Sequence, residues 1–339
     1  MKIKKRIFNL LFLLLVFGLT IWTVFRGEDF GRLLQHLSAS NPIYILPSVL
    51  CVLLFIIGES VVIYYLMRTL KNRIPFTHCC LYSFVGFFYS CITPSASGGQ
   101  PMQVVTMRKD KIPVAVSTVV LSIVTITYKL VLVLIGTAVL LLRPPALMAC
   151  LEPVESIVYV GLALNVVCVA GLLLLVFHPH IVRVLANHAL TLWSRIRPLR
   201  NPEKLAERID GILNQYQGTA GFYRSQKCVI LRVFLITLAQ RCCLFLVTWF
   251  TYRSFGLSGQ TLPVIVSLQA MIAVAVDMLP LPGGMGVSEN LFLVIFQPIF
   301  GEALVLPGML ISRGIGFYTQ LLISAVMTIA ASFIIKGKR

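Results

Sequence analysis

Apolar residues run almost unbroken for the length of a membrane crossing at about residues 7–25, 43–67, 114–142, 154–177, 229–252 and 307–335. A helix of roughly 20 apolar residues, rising about 1.5 Å per residue, crosses the hydrocarbon core of a bilayer, so each stretch predicts a full span. Two further apolar regions are interrupted. Residues 75–108 are broken by TPSASGGQP at 93–101, and residues 262–300 by LPLPGGMG at 279–286. Proline and glycine break helices, and irregular backbone at membrane depth persists only where protein or trapped water satisfies its polar groups. Each region therefore reads as two short helices meeting at an internal tip. The one sizeable polar stretch, 178–228, contains IVRVLANHALTLWSRI and PEKLAERIDGILNQYQ. Both are amphipathic with bases on the polar side, which suits helices on the anionic cytoplasmic leaflet or a solvated connector.

Composition sharpens this picture. Of 339 residues, 58% are apolar or aromatic and 12% charged, with a mean hydropathy of +0.90. Soluble domains carry about 25% charged residues, so a water-soluble protein is excluded and little chain remains for a cytosolic catalytic domain. The 9 cysteines lie mostly in or beside apolar runs (Cys51, Cys91, Cys168, Cys242, Cys243), without a CxxC pair, and only Cys150 falls in a predicted external loop. That pattern suits small core residues rather than disulfides or zinc. His178, His180 and His188 are not at metal-binding helical spacing. MKIKKR at 1–6 precedes the first apolar run, and no small-residue cleavage site precedes RGED at 26–29, so this segment reads as a retained span.

The 29 Lys and Arg against 12 Asp and Glu first concern orientation, and nucleic-acid binding is the weaker reading. With the N-terminus in the cytoplasm and both broken regions as hairpins that enter and leave on one side, nearly all loop bases fall inside. Only Arg26, Arg32, Arg143 and Arg253 stay in external loops. If the first broken region crossed fully, the basic segment 178–228 would move outside, unless the far too short arm 101–108 also crossed. The expectation is an all-α integral membrane protein with about six full spans and two re-entrant hairpins, in one domain over 1–339. Units 43–142 and 229–335 would form an inverted repeat, with both termini cytoplasmic. Pro94 before Gly98 and Gly99, and Pro280 before Gly283 and Gly284, mark the tips. Broken helices meeting near the midplane of inverted units are the usual plan of a secondary transporter.

At the first tip, Thr93, Ser95 and Ser97 supply hydroxyls, and Gly98 and Gly99 are expected to permit the tight turn. Pro101 suits the first turn of a short helix whose free N–H groups attract an anion. The second tip repeats this with Gly283, Gly284 and Gly286 before Ser288 and Glu289. Ionisable residues inside spans are expensive and thus functional suspects. Glu59, Lys129, Arg241, Arg313, Asp277 and Glu289 qualify, whereas Arg232 near a span end is expected to snorkel. Internal ion pairs that hold the bundle together are one role. The other has Lys129, Arg241 and Arg313 contacting a lipid phosphate while the acids balance charge, hold a cationic headgroup or carry a coupling proton. Tyr128 and Tyr318 stand near these bases, where one role is to anchor polar groups and packing is the simpler one. No phosphate loop, HExxH or extramembrane Ser/His/Asp grouping is present, and no cofactor or metal is expected.

TPSASGGQPMQ at 93–103, RKDKIP at 108–113, LPLPGGMGVSE at 279–289 and SRGIGFY at 312–318 resemble the flippase-like membrane domain of the lysylphosphatidylglycerol synthase family. The resemblance covers essentially the whole chain. It implies a bacterial inner-membrane protein handling a phospholipid of the anionic or lysylated phosphatidylglycerol class. Ser95, Ser97, Gly98, Gly99, Gln100 and Gln103 at the first tip, Gly283 and Gly284 at the second, and Arg313 would then lie near the path. Lys129 stands where many relatives have Arg, and an ammonium lacks the fork that makes a bidentate phosphate contact. The full synthases continue into a large cytosolic aminoacyl-transfer domain, whereas this chain ends at Arg339 with a short basic tail.

Three functions compete. A lipid flippase would use the hairpins to open one site to each leaflet in turn. A phosphatidylglycerol lysyltransferase would have to seat a charged tRNA on the connector alone, which disfavours it as a standalone enzyme and leaves a membrane subunit partnering such a synthase as the other form of this reading. A small-solute transporter of the same design is the third. The sequence leaves homo-oligomerisation open.

Overall fold

The computed structural model describes residues 40–178 and 202–335 together with positions 38 and 184. The predicted first span, the tails that would fix both termini, and the first part of the connector lie outside these residues. All described elements are helical, and the chain is a multi-pass membrane protein. α1 (Ile45–Thr69) follows a 3-10 turn, Pro42–Tyr44, capped by the Asn41 side chain. α2 (Phe76–Ile92), a 3-10 turn at Pro94–Ala96 and α3 (Gly99–Lys109) form the first hairpin. α4 (Val114–Leu142) leads through α5 (Pro145–Leu151) to α6 (Glu155–Phe177). α7 (Pro202–Ser225) and α8 (Lys227–Ser254) follow. The second hairpin is α9 (Leu262–Val276), a 3-10 turn at Pro282–Gly284, and α10 (Val287–Phe300). α11 (Glu302–Arg313), a π-helical segment Gly314–Thr319 and α12 (Gln320–Ile334) complete the described residues.

Among the described residues, 5 stretches are long and apolar enough to cross a bilayer: Pro42–Thr69, Val114–Leu142, Pro145–Val176, Lys227–Ser254 and Glu302–Ile334. They cover the five predicted spans within this region. α2 and α9, with 17 and 15 residues, are shorter. The last stretch is not the uninterrupted helix expected over 307–335, because its middle winds into the π segment beside Arg313.

Contacts between helices fix their directions. The Asn41 N–H donates to the Ser254 carbonyl, and Arg232 donates to the Tyr65 hydroxyl, so α1 and α8 run antiparallel. Thr237 donates to Thr127, and Phe245 packs with Leu132, so α4 and α8 run parallel. α1 and α4 are therefore antiparallel. The end of α1 and the start of α4 lie at one end of the bundle, and the first hairpin leaves and returns there. At the other end, the Tyr252 and Phe300 rings are 5.6 Å apart while Thr248 meets Ser312, so α11 runs back along α8. The second hairpin thus leaves and returns at the opposite end. The 3-10 turns of the two hairpins contact each other, and the Ser95 hydroxyl donates to the Leu279 carbonyl at 3.2 Å.

Packing pairs recur between the halves. α2 packs on α1 and α12, as α9 packs on α8 and α4, and α1 meets α4 as α8 meets α11. Among the described residues α6 has no such counterpart, and it packs on α4 and α9, where Asn165 donates to the carbonyls of Gly161 and Val274. α7 buries Leu213, Tyr216, Ala220 and Tyr223, one stripe at helical spacing, against the protein rather than against lipid. Tyr216 donates to the Leu175 carbonyl and Tyr223 to that of Leu66, tying the connector to α6 and α1.

Candidate functional site

Both tips are built from a proline followed by two left-handed residues. Pro94 precedes Ser95 (φ 49°) and Ala96 (φ 53°), and Pro282 precedes Gly283 (φ 59°) and Gly284 (φ 65°). The structural partner of Pro94 is therefore Pro282, not Pro280. The expected turn glycines of the first tip are also displaced, for Gly98 has φ −83° and Gly99 opens α3. Their role is close packing. A Cβ on Gly99 would stand 2.1 Å from the Ser90 hydroxyl and 2.8 Å from the Gly86 carbonyl. Ser95 and Ala96 instead bear the left-handed geometry without glycine, at about 1–2 kcal/mol each, and strain of this kind collects at functional sites.

The tips, α1, α4, α8, α9 and the π segment enclose an open cavity of about 430 Å³. Of the residues singled out from sequence, Glu59, Ser95, Ser97, Gln100, Gln103, Lys129, Arg241, Asp277, Gly283, Gly284 and Arg313 line it. Gly98 and Gly99 stand behind the first tip, and Glu289 behind Arg313. Apolar walls contributed by Phe55, Phe87, Leu244 and Phe292 complete the space.

Charge inside the cavity is only partly balanced. Lys129 Nζ lies 2.5 Å from Asp277 Oδ2, joining α4 to the end of α9, and the Tyr128 hydroxyl donates to Asp277 Oδ1 at 3.1 Å. Glu289, 3% exposed, accepts from the Gly286 N–H at 2.7 Å, from Ser288, and from Arg313 Nε at 2.8 Å. Its carboxylate thus caps α10 and offsets the positive helix end expected to attract an anion. Arg313 also donates to the Gly283 carbonyl at 3.1 Å, tying the π segment to the second tip.

Two charges remain. Glu59 accepts from Gln103 at 2.6 Å, a contact reaching from α3 to α1 across Gly86, where a Cβ would stand 2.3 Å from the Gln103 amide nitrogen. Arg241 is 3% exposed and forms no ion pair among the described residues. Its guanidinium lies 3.7 Å from the Tyr128 ring centroid, with Phe245 at 5.4 Å and Phe55 at 5.9 Å. Its buried Nε has no hydrogen-bond partner. Cation–π contact is worth roughly 0.5–2 kcal/mol, less than the several kcal/mol that desolvating an ion demands. The arrangement is suited to receive an anion at Arg241 and a cation at Glu59.

Tyr128 takes the anchoring role and not only the packing one, since it bridges Asp277 and Arg241. Sequence reasoning missed several other members of the site. Gly86, Thr125 (bonded to Gln100) and Gln269 also line the cavity. Gly314 and Gly316 within SRGIGFY were the available signal for the π segment, a feature common at functional sites. Arg232 reaches Tyr65 at 3.2 Å from an exposed position, as a base near a span end can. Among the described residues no group of three or more His, Cys, Asp or Glu is placed to hold a metal ion.

A family model described as the lysylphosphatidylglycerol synthase TM region matches residues 9–324. No match was found among curated proteins.

Proposed function

The chain belongs to the lysylphosphatidylglycerol synthase transmembrane-region family, and from that premise we propose that it is a lipid translocator, moving a phospholipid or aminoacylated phospholipid between the leaflets of the bacterial inner membrane. The observation that carries the proposal is Arg241, a buried cation with three aromatic neighbours and no ion-pair partner among the described residues, facing a cavity between two broken helices. A phosphate is the ligand that completes it, because its oxygens accept charge-assisted hydrogen bonds from a guanidinium. Glu59 then serves an amine carried by the headgroup, and the apolar walls accommodate the start of the acyl chains.

In this reading both hairpins are re-entrant. The units over 43–142 and 229–335 form an inverted repeat, with the connector and both termini cytoplasmic. Lys129–Asp277 and the Ser95–Leu279 contact join the units across the cavity, so they are the contacts that must change as the site opens to alternate leaflets. Arg313–Glu289 stays within the second unit and holds its tip to the π segment.

The test is lipid exchange in proteoliposomes carrying a fluorescent phosphatidylglycerol in both leaflets, with an impermeant reductant added outside. Translocation predicts bleaching that proceeds beyond the outer-leaflet share seen in protein-free vesicles. Bleaching that stops at that share, with protein verified in the bilayer, contradicts it.

A further inference from the structure

Away from the central cavity, a second concavity of about 520 Å³ opens between α4, the end of α7 and the start of α8. Its wall is apolar: Leu130 and Leu134 from α4, and Leu231 and Phe234 from α8. Leu134 and Leu231 are 48% and 58% exposed, which places them on the outer face of the bundle. Its base holds two cations, Arg224 and Lys227, both exposed, and neither forms an ion pair among the described residues.

The position of Lys227 is physically informative. It is the first residue of a 28-residue helix whose N-cap, Gln226, makes no side-chain cap bond and whose first turn carries no acid. A cation at the positive end of a helix is disfavoured unless an anion sits beside it. Arg224, one turn earlier in the last turn of α7, adds a second donor group to the same spot. From this pair the wall climbs α4. Thr127 is level with Thr237, so Leu130 lies on the order of 20 Å along the axis from Lys227 at 1.5 Å per residue, the length scale of one acyl chain.

We propose that this groove is a binding site for an anionic phospholipid of the surrounding bilayer, with the phosphate on Arg224 and Lys227 and one acyl chain against Leu130, Leu134, Leu231 and Phe234. The commitment to an anionic lipid rests on charge complementarity at the base and on the continuous apolar wall above it. An acidic peptide has no use for that wall, and a neutral lipid leaves both bases unmatched. The site is separate from the central cavity and does not depend on what that cavity carries.

Cys228 permits a local test, because it is the one exposed cysteine among the described residues and adjoins Lys227. The full chain, labelled there with bimane and reconstituted in phosphatidylcholine, is titrated with phosphatidylglycerol or phosphatidylcholine bearing a nitroxide near the headgroup end of one chain. Quenching is expected to show a preference of about fivefold or more for phosphatidylglycerol. The preference should vanish in Arg224→Gln/Lys227→Gln, whose changes are at exposed positions, and persist in Arg241→Leu. Equal quenching by both lipids in the unmodified protein overturns the proposal. Survival of the preference in the double variant does so as well, and its loss in Arg241→Leu would move the lipid to the central cavity.

Discussion

Arg241→Leu is expected to make the empty protein more stable while reducing lipid exchange about ten- to a hundredfold. Both effects follow from one observation. The guanidinium is buried, its Nε has no partner, and beside the Tyr128 hydroxyl only aromatic faces compensate it. Replacing a buried charge with an apolar side chain removes a desolvation penalty, here on the order of 1 kcal/mol or more after the lost cation–π contacts. Hydrogen bonds to a charged group contribute about 1.5–3 kcal/mol, and their loss from a bound phosphate gives the predicted fall in rate. Thermal unfolding in detergent and exchange in vesicles measure the two sides. A purely structural Arg241 predicts the reverse, a protein that unfolds earlier and exchanges lipid in proportion to what remains folded.

The second large effect concerns Lys129 and Asp277, whose side chains are 11% and 12% exposed and 2.5 Å apart. Removing one partner leaves an uncompensated buried charge, so Asp277→Ala or Lys129→Ala should each lower stability by roughly 3–5 kcal/mol. The double change Lys129→Met/Asp277→Leu should recover most of that loss. Its transport defines the role of the pair, because a contact that merely holds α4 to α9 is replaceable by apolar packing. A double variant no more stable than either single change would mean that the pair is not the source of the effect.

These two sites also show what could be read from the sequence and what could not. The five long apolar stretches among the described residues were legible because a bilayer imposes length and apolarity on contiguous residues, and the breaks were legible because Pro and Gly act locally. The six charged suspects stood out for the same local reason, each being a costly residue inside an apolar run. Which charges pair is a different matter. Lys129 and Asp277 are separated by most of two units, and only the packing of α9 on α4 brings them together. The residual mismatch, Glu59 and Arg241, emerges only after the other pairs are assigned.

The tips were misread in detail for a related reason. Gly98 and Gly99 looked like turn residues because glycine tolerates positive φ, yet the turn falls on Ser95 and Ala96. Gly99 answers to Ser90 and Gly86 on the facing helix, contacts that no local pattern records, and Gly98 to the Thr93 side chain of its own tip. The amphipathic connector was recognisable as such, but its apolar stripe gave no sign that it faces α4, α6 and α1 instead of lipid.

The central claim is that the two unmatched charges of the cavity hold a lipid headgroup, phosphate at Arg241 and amine at Glu59. It is tested most directly by measuring exchange of phosphatidylglycerol and lysylphosphatidylglycerol in parallel, for the unmodified protein and for Glu59→Gln. The account predicts faster exchange of the amine-bearing lipid by the unmodified protein, and loss of that advantage in Glu59→Gln with phosphatidylglycerol exchange retained. An unchanged ratio of the two rates in the variant would contradict it.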